Sequence, residues 1–259
     1  MISLKKIKYP NSKFPIIVID NFLSKNICEK IGTSILNQKK FDDHVMNGRN
    51  RINKGSDNFK NFIMNSFLAG KLYKSLNNKI LYEKIRIIFR KKFQSFAWKE
   101  ENVRNYKFSK TNYGFQKGKI LTKQSKRNRK LNFVNLDLDF SVSENGYFRE
   151  PHRDRDTRII NFLIYLNTIP KSNGGSLKIF STKKAWGNKV KNFPRFPNKK
   201  KVRVTNQFQP KIGQTIFFLS SPNSYHGVSK FFSKKNKRIF IYGSYSLNKA
   251  VSWKFNKKN

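Results

Sequence analysis

Apolar positions along this chain fall into two rhythms. FPIIVID (residues 14–20), IINFLIYL (159–166), TIFFL (215–219) and KRIFIYGSYSL (237–247) are short, nearly continuous runs rich in β-branched and aromatic residues. Runs of this kind predict strands covered on both faces. LNFVNLDLDFSV (131–142) alternates instead. Val134, Leu136, Leu138 and Phe140 take one face with Asn132, and Leu131, Phe133, Asn135, Asp137 and Asp139 take the other, which reads as a solvent face. Another strand, 176–180, follows the turn-rich stretch NTIPKSNGG.

The second rhythm is helical. Ser24 is a good N-cap for a helix running to Asn37, with Ile27, Ile31 and Ile35 on one face. Ser56 and Asp57 cap a helix over 58–76, with Phe59, Phe62, Ile63, Phe67 and Leu68 on its apolar side. A third helix over 79–93 carries Ile80, Ile85, Ile87, Ile88 and Phe89, and ends in Arg90, Lys91 and Lys92, which suit the negative end of its dipole. Residues 41–54 are polar, are broken by Gly48, and read as a loop. Residues 183–209, basic and containing Trp186, Phe193 and Phe196, read as an insertion acting as a lid. Helices come first and strands follow. The class is α+β: a jelly-roll-like double sheet over 131–250, with a strand and supporting helices over 1–130, as a single domain across 1–259.

Composition changes this picture in two respects. Aromatic residues make up 15% of the chain, including 25 Phe, which argues for a packed core in spite of the charge. The 56 Lys and Arg against 14 Asp and Glu give a net charge of +42. A field of that size attracts polyanions such as nucleic acid. The excess of Lys over Arg, with abundant Asn and Ile, is also what an AT-rich coding sequence produces. The basic run KQSKRNRK (123–130) could grip phosphates or form a solvated loop. The single Cys28 excludes an internal disulfide and fits a reducing compartment. No apolar run reaches the length of a membrane span, and MISLKKIKYP has no secretory apolar core, so a soluble cytoplasmic protein is expected.

The chemistry concentrates on few residues. Only three His occur. His152 and Asp154, two apart in a strand, would share a face beside a buried sheet, and His226 follows the strand 215–219. Two imidazoles and a carboxylate form a facial metal-ligand set that leaves positions open for other ligands. Arg238 opens the last strand, where Phe240, Tyr242 and Ser244 share its face. An inward guanidinium there calls for a carboxylate, which its planar fork holds bidentately. His44, beside Asp42 and Asp43, reads as part of an exposed loop.

The order H-x-D, a Gly-Gly turn before a strand, a later His and then a basic residue resembles the Fe(II)/2-oxoglutarate-dependent dioxygenases. The prolyl 4-hydroxylase-like branch is nearest in pattern. The resemblance covers residues 131–247, with a weaker echo in the strand, DNFLS and helix near the start. It implies a double-stranded β-helix core, Fe(II) on His152, Asp154 and His226, and 2-oxoglutarate with its distal carboxylate on Arg238. Tyr147, Tyr165 and Tyr242 become candidate cosubstrate contacts. The implied activity is a hydroxylation coupled to decarboxylation of 2-oxoglutarate to succinate, with O2 as oxidant and ascorbate as a reductant.

The pattern departs from that branch at two places. Arg238 stands where the branch commonly has Lys, and Arg149 where it has an aromatic. Ser244 occupies the position of the second Arg of nucleic-acid demethylases in the superfamily. Arg149, Arg153, Arg155 and Arg158 crowd the expected metal mouth, which suggests an anionic small-molecule or protein substrate. Two other readings use the same residues: a non-catalytic basic β-sandwich that binds nucleic acid or another polyanion, and a zinc hydrolase.

Overall fold

The structure is a computed structural model that describes residues 1–45, 48–93, 106–110, 133–182 and 193–248. Its strands are β1 (Lys6–Lys8), β2 (Ile16–Asp20), β3 (Asp43–Val45), β4 (Arg49–Asn53), β5 (Lys107–Ser109), β6 (Phe133–Ser143) and β7 (Arg149–His152). There follow β8 (Arg158–Tyr165), β9 (Leu177–Thr182), β10 (Val202–Phe208), β11 (Thr215–Leu219), β12 (His226–Val228) and β13 (Arg238–Leu247). Its helices are α1 (Lys25–Leu36), α2 (Asp57–Asn65), α3 (Phe67–Leu76) and α4 (Lys79–Lys92). Trp186, the run 123–130 and the tail from 249 lie outside the described residues.

Two sheets form a jelly roll. The larger runs β1-β2-β11-β8-β13-β6-β4-β3, with β5 parallel to β6, and the smaller runs β10-β9-β12-β7. In the central strands of the larger sheet, alternation sends successive residues to two cores. Ile17 and Ile19 of β2, Ile160, Phe162 and Ile164 of β8, and Ile239, Ile241 and Tyr245 of β13 pack with the helices. Their neighbours Ile16, Val18, Leu163, Tyr165 and Phe240 face the smaller sheet and meet Leu177 and Ile179 of β9. Full burial of such a side chain is worth about 1.5–3 kcal/mol, so a strand covered on both faces has no solvent side to keep polar. That is why these runs are continuous in sequence.

β6 departs from the expected solvent face. Val134, Leu136, Leu138, Phe140 and Val142 pack toward the helices as predicted. The opposite face is also covered: Asn135 is 1% exposed and Asp139 6%. It looks into a cleft between the sheets, where Asp139 takes an ion pair from Arg49, and Asp137 accepts a hydrogen bond from Ser246 Oγ at 2.9 Å.

Three other expectations are corrected. Residues 41–54 form the β3–β4 hairpin, which extends the larger sheet past β6. Asp43, Arg49, Arg51 and Asn53 line the cleft, which is why the hairpin lacks a strand-like apolar pattern. The helix expected over 58–76 breaks at Ser66, where the backbone is extended (φ −108°, ψ 95°). Gly70 then lets α3 fold tightly on α2, since a Cβ there would stand 2.4 Å from the Ile63 carbonyl oxygen. Phe67, at the start of α3, is consequently 77% exposed. Finally, the segment read as an insertion contains β10, which pairs with β9 at the end of the smaller sheet among the described residues and is largely exposed, so it shows no apolar alternation. Among the described residues no helix is long and apolar enough to cross a membrane.

Candidate metal centre and its cleft

β7 and β12 run antiparallel, and His226 stands directly opposite His152 in their register. The two imidazole centroids are 4.4 Å apart. His152 Nδ1 lies 2.8 Å from the Glu150 carbonyl oxygen, and His226 Nδ1 lies 3.0 Å from that of Ser224. A carbonyl only accepts, so Nδ1 is the protonated nitrogen in both rings and Nε2 keeps its lone pair for a metal.

Asp154 is not on the same strand as His152, contrary to the alternation read from sequence. β7 ends at His152, and Asp154 lies in the turn leading to β8. Two side chains from the larger sheet clasp it there. Arg158 Nη1 donates to Oδ1 at 2.8 Å, and the Tyr242 hydroxyl donates to Oδ2 at 2.9 Å. Oδ2 is 3.5 Å from His226 Nε2. Ligand atoms of His152, Asp154 and His226 all lie within 4.8 Å of one another, and all three residues are buried. One divalent ion fits among them.

The electrostatics of the cluster favour a cation. Burial, then the neighbouring His226, drops the His152 imidazole to about 3. Burial also lowers His226, against the pull of Asp154. Burial alone would raise the Asp154 carboxyl, but Arg158 and both imidazoles outweigh it and hold it well below the usual range. At neutral pH the cluster is two neutral imidazoles and one carboxylate, the protonation state that binds a divalent metal.

Beside this cluster lies a second receptor. Arg238 is fully buried at the start of β13, with its guanidinium carbon 4.1 Å from the Phe240 ring centroid. Nε donates to the Gly175 carbonyl at 3.0 Å, while Nη1 and Nη2 have no hydrogen-bond partner among the described residues. The buried Tyr165 hydroxyl, from β8, has none either. Burial pushes that phenol up, with Arg238 acting in the opposite sense. A buried guanidinium with a free fork, next to an unpartnered hydroxyl, is satisfied by a carboxylate. The Gly-Gly turn makes the arrangement possible. Gly174 and Gly175 have φ of +66° and +70°; a Cβ on Gly175 would press the Arg238 Cδ at 3.2 Å, and one on Gly174 would meet the Lys230 carbonyl oxygen at 2.0 Å.

The cleft has a volume of about 980 Å³ and is lined by His152, Asp154, His226, Arg238, Tyr147 and Tyr242, which the sequence had singled out. Tyr242 turns its hydroxyl to Asp154 and Arg158. Tyr147 stands near Arg49, whose guanidinium is destabilised by burial but raised overall by Asp139 and Tyr147. Arg149, Arg155 and Arg158 line the cleft, whereas Arg153 is drawn into an ion pair with Asp156. His44 lies on β3 and its side chain is outside the described residues.

Sequence reasoning missed the Arg49–Asp139–Ser141 group, because the hairpin read as a loop and the β6 face as solvent. It also missed Arg195 as a lining residue. Phe196 was noted only as an aromatic of the insertion. It stacks on His152, with centroids 6.4 Å apart and planes 24° apart.

Comparison with known proteins adds to this geometry. Residues 138–245 match the family model of the 2OG-Fe(II) oxygenase superfamily. The chain is similar to a solved prolyl-4-hydroxylase from Pseudomonas putida, at 13% identity and a TM-score of 0.45, over 90% of this chain and 93% of that one. It is similar to the viral collagen prolyl hydroxylase of Paramecium Bursaria Chlorella virus-1, at 13% identity and TM-score 0.43, over 90% and 94%. It is also similar to a prolyl 4-hydroxylase from Phytophthora capsici, at 11% identity and TM-score 0.47, over 89% and 58%. No curated protein matches.

Proposed function

We propose that this chain is an Fe(II)- and 2-oxoglutarate-dependent oxygenase of the 2OG-Fe(II) oxygenase superfamily, whose family model matches residues 138–245, and that the following residues do the work. His152, Asp154 and His226 hold the iron. Arg238, with the Tyr165 hydroxyl, holds the distal carboxylate of 2-oxoglutarate. The substrate, a small molecule or a peptide, enters through the cleft lined by β6, the β3–β4 hairpin and the turn after β7. The observation that carries this reading is the adjacency of a His-Asp-His cluster and a buried guanidinium fork with no hydrogen-bond partner among the described residues, on the two facing sheets.

When bound, iron and 2-oxoglutarate supply the oxidising chemistry: O2 is consumed, 2-oxoglutarate becomes succinate and CO2, and a substrate C–H becomes C–OH. The protein's share is placement. Carbonyls of Glu150 and Ser224 fix both imidazole orientations, so Nε2 points into the cleft. Arg158 and Tyr242 fix the carboxylate of Asp154 and keep it ionised. Leu163, Leu177 and Phe240 form the apolar wall that limits water around the reacting atoms. Phe240 also supports the guanidinium of Arg238 from below.

The test is oxygen-dependent succinate formation from 2-oxoglutarate with added Fe(II). Wild type is expected to turn over, and Asp154→Ala to fall to background. Equal turnover of the two proteins would exclude these residue roles.

A further inference from the structure

The metal end of the cleft carries more positive charge than iron and cosubstrate use. Arg149 of β7, Arg155 in the following turn and Arg195 line it together with the His-Asp-His cluster. Arg158 lines it too, but is engaged with Asp154. Other carboxylates of the cleft are engaged elsewhere, Asp137 with the Ser246 hydroxyl among them. Asp139 holds Arg49, Asp43 holds Arg51, and Asp42 accepts from Asn53 N, Ser56 Oγ and Asn58 Nδ2. Among the described residues, neither Arg149 nor Arg195 has a carboxylate at ion-pair distance.

Arg195 is built into place. Its carbonyl accepts from Arg153 N at 2.9 Å, its Nε lies 3.4 Å from the Arg153 carbonyl oxygen, and the Tyr225 hydroxyl donates to the adjoining Pro194 carbonyl at 2.9 Å. Its guanidinium carbon is 5.2 Å from the Phe196 ring centroid. Burial lowers the Arg195 guanidinium below its ordinary range; Asp154 opposes this, and the crowding of Arg155, Arg158 and Arg149 adds to it. Like charges gathered beside a metal repel one another, and a ligand that brings negative charge relieves them.

We propose that Arg149 and Arg195, with Arg155 beside them, form a receptor for an anionic oxygen group, a carboxylate or a phosphate monoester, carried by the substrate close to the carbon that is oxidised. The proposal rests on the oxygenase reading of the same site. Planar guanidinium forks match both anions bidentately. Phe196, 61% exposed and stacked on His152, offers an apolar rim for the rest of the substrate.

The experiment uses protein loaded anaerobically with Fe(II) and saturating 2-oxoglutarate, so that Arg238 is already occupied. Inorganic phosphate and, separately, acetate are titrated by calorimetry. Wild type is expected to bind at least one of them, and the tighter of the two identifies the anion. Arg149→Gln and Arg195→Gln should each weaken that binding about five-fold or more, while Lys25→Gln, remote on α1, leaves it unchanged. Loss of equal size in Lys25→Gln would assign the binding to the general field of a +42 chain and overturn the receptor. Protein that forms its iron–2-oxoglutarate complex and binds neither anion overturns the receptor alone. Protein that forms no such complex overturns the oxygenase reading and the receptor with it.

Discussion

His226 sits directly across from His152 in the pairing of β7 with β12, so two histidines far apart in sequence are brought together by strand register. The pairing is held tightly at Gly227, where a Cβ would stand 2.6 Å from the Arg149 carbonyl oxygen. Backbone cannot yield as a flexible side chain can. Gly227→Ala should therefore push the two strands apart and weaken Fe(II) binding about 10-fold or more, the scale of losses seen when ligand-orienting groups are disturbed. Metal titration of the folded variant checks it, and wild-type affinity would disconnect register from the site.

Arg238 and Gly175 give a graded pair. Arg238→Gln removes the charged fork proposed to hold the 2-oxoglutarate carboxylate and should raise the half-saturating 2-oxoglutarate concentration about 10- to 100-fold, with Fe(II) binding retained. Gly175→Ala should raise it less, because the added Cβ presses on the Arg238 stem while leaving its charge. Steady-state kinetics at varied 2-oxoglutarate should show the change mainly in KM. A fall in kcat alone would point away from cosubstrate binding.

Tyr242→Phe keeps the ring that packs in the cleft and removes only the hydroxyl that holds Asp154 Oδ2. Iron affinity should fall about 10-fold, with little change in overall stability. If affinity holds while KM for 2-oxoglutarate rises, Tyr242 serves the cosubstrate instead.

Much of this was legible in the chain. Buried strands announced themselves as unbroken apolar runs, and β8, β11 and β13 fell close to where periodicity placed them. The cleft was harder to read, because a polar residue facing a binding site looks like one facing solvent. Asp139 and Arg49 gave no local sign that they were buried against each other. The α2–α3 break at Ser66 was hidden because apolar residues continue at helical spacing across it. Asp154 was read as lying on the same strand as His152, whereas β7 ends at His152: H-x-D spacing shows proximity, not whether the strand continues.

The metal-free protein should lose stability as it is acidified below neutrality. His152 is held neutral to about 3 by burial, while in the unfolded chain it titrates near 6.5. Between those values the unfolded state binds more protons than the folded state, so stability rises with pH and falls as pH drops through that window. The slope can reach about 1.4 kcal/mol per pH unit for each such histidine. Urea unfolding at several values between pH 4 and 7.5 should show this slope, and His152→Asn should reduce it. A flat profile over that range would mean that His152 is protonated in the folded protein.

The central claim is that His152, Asp154 and His226 converge on one ferrous ion within reach of the cosubstrate held by Arg238. Anaerobic titration with Fe(II) in the presence of 2-oxoglutarate, followed by the charge-transfer absorption of the chelate, tests it most directly. The account predicts a single saturating equivalent of iron for wild type and no signal for His226→Ala or Asp154→Ala that remain folded. An undiminished signal in either variant would contradict it.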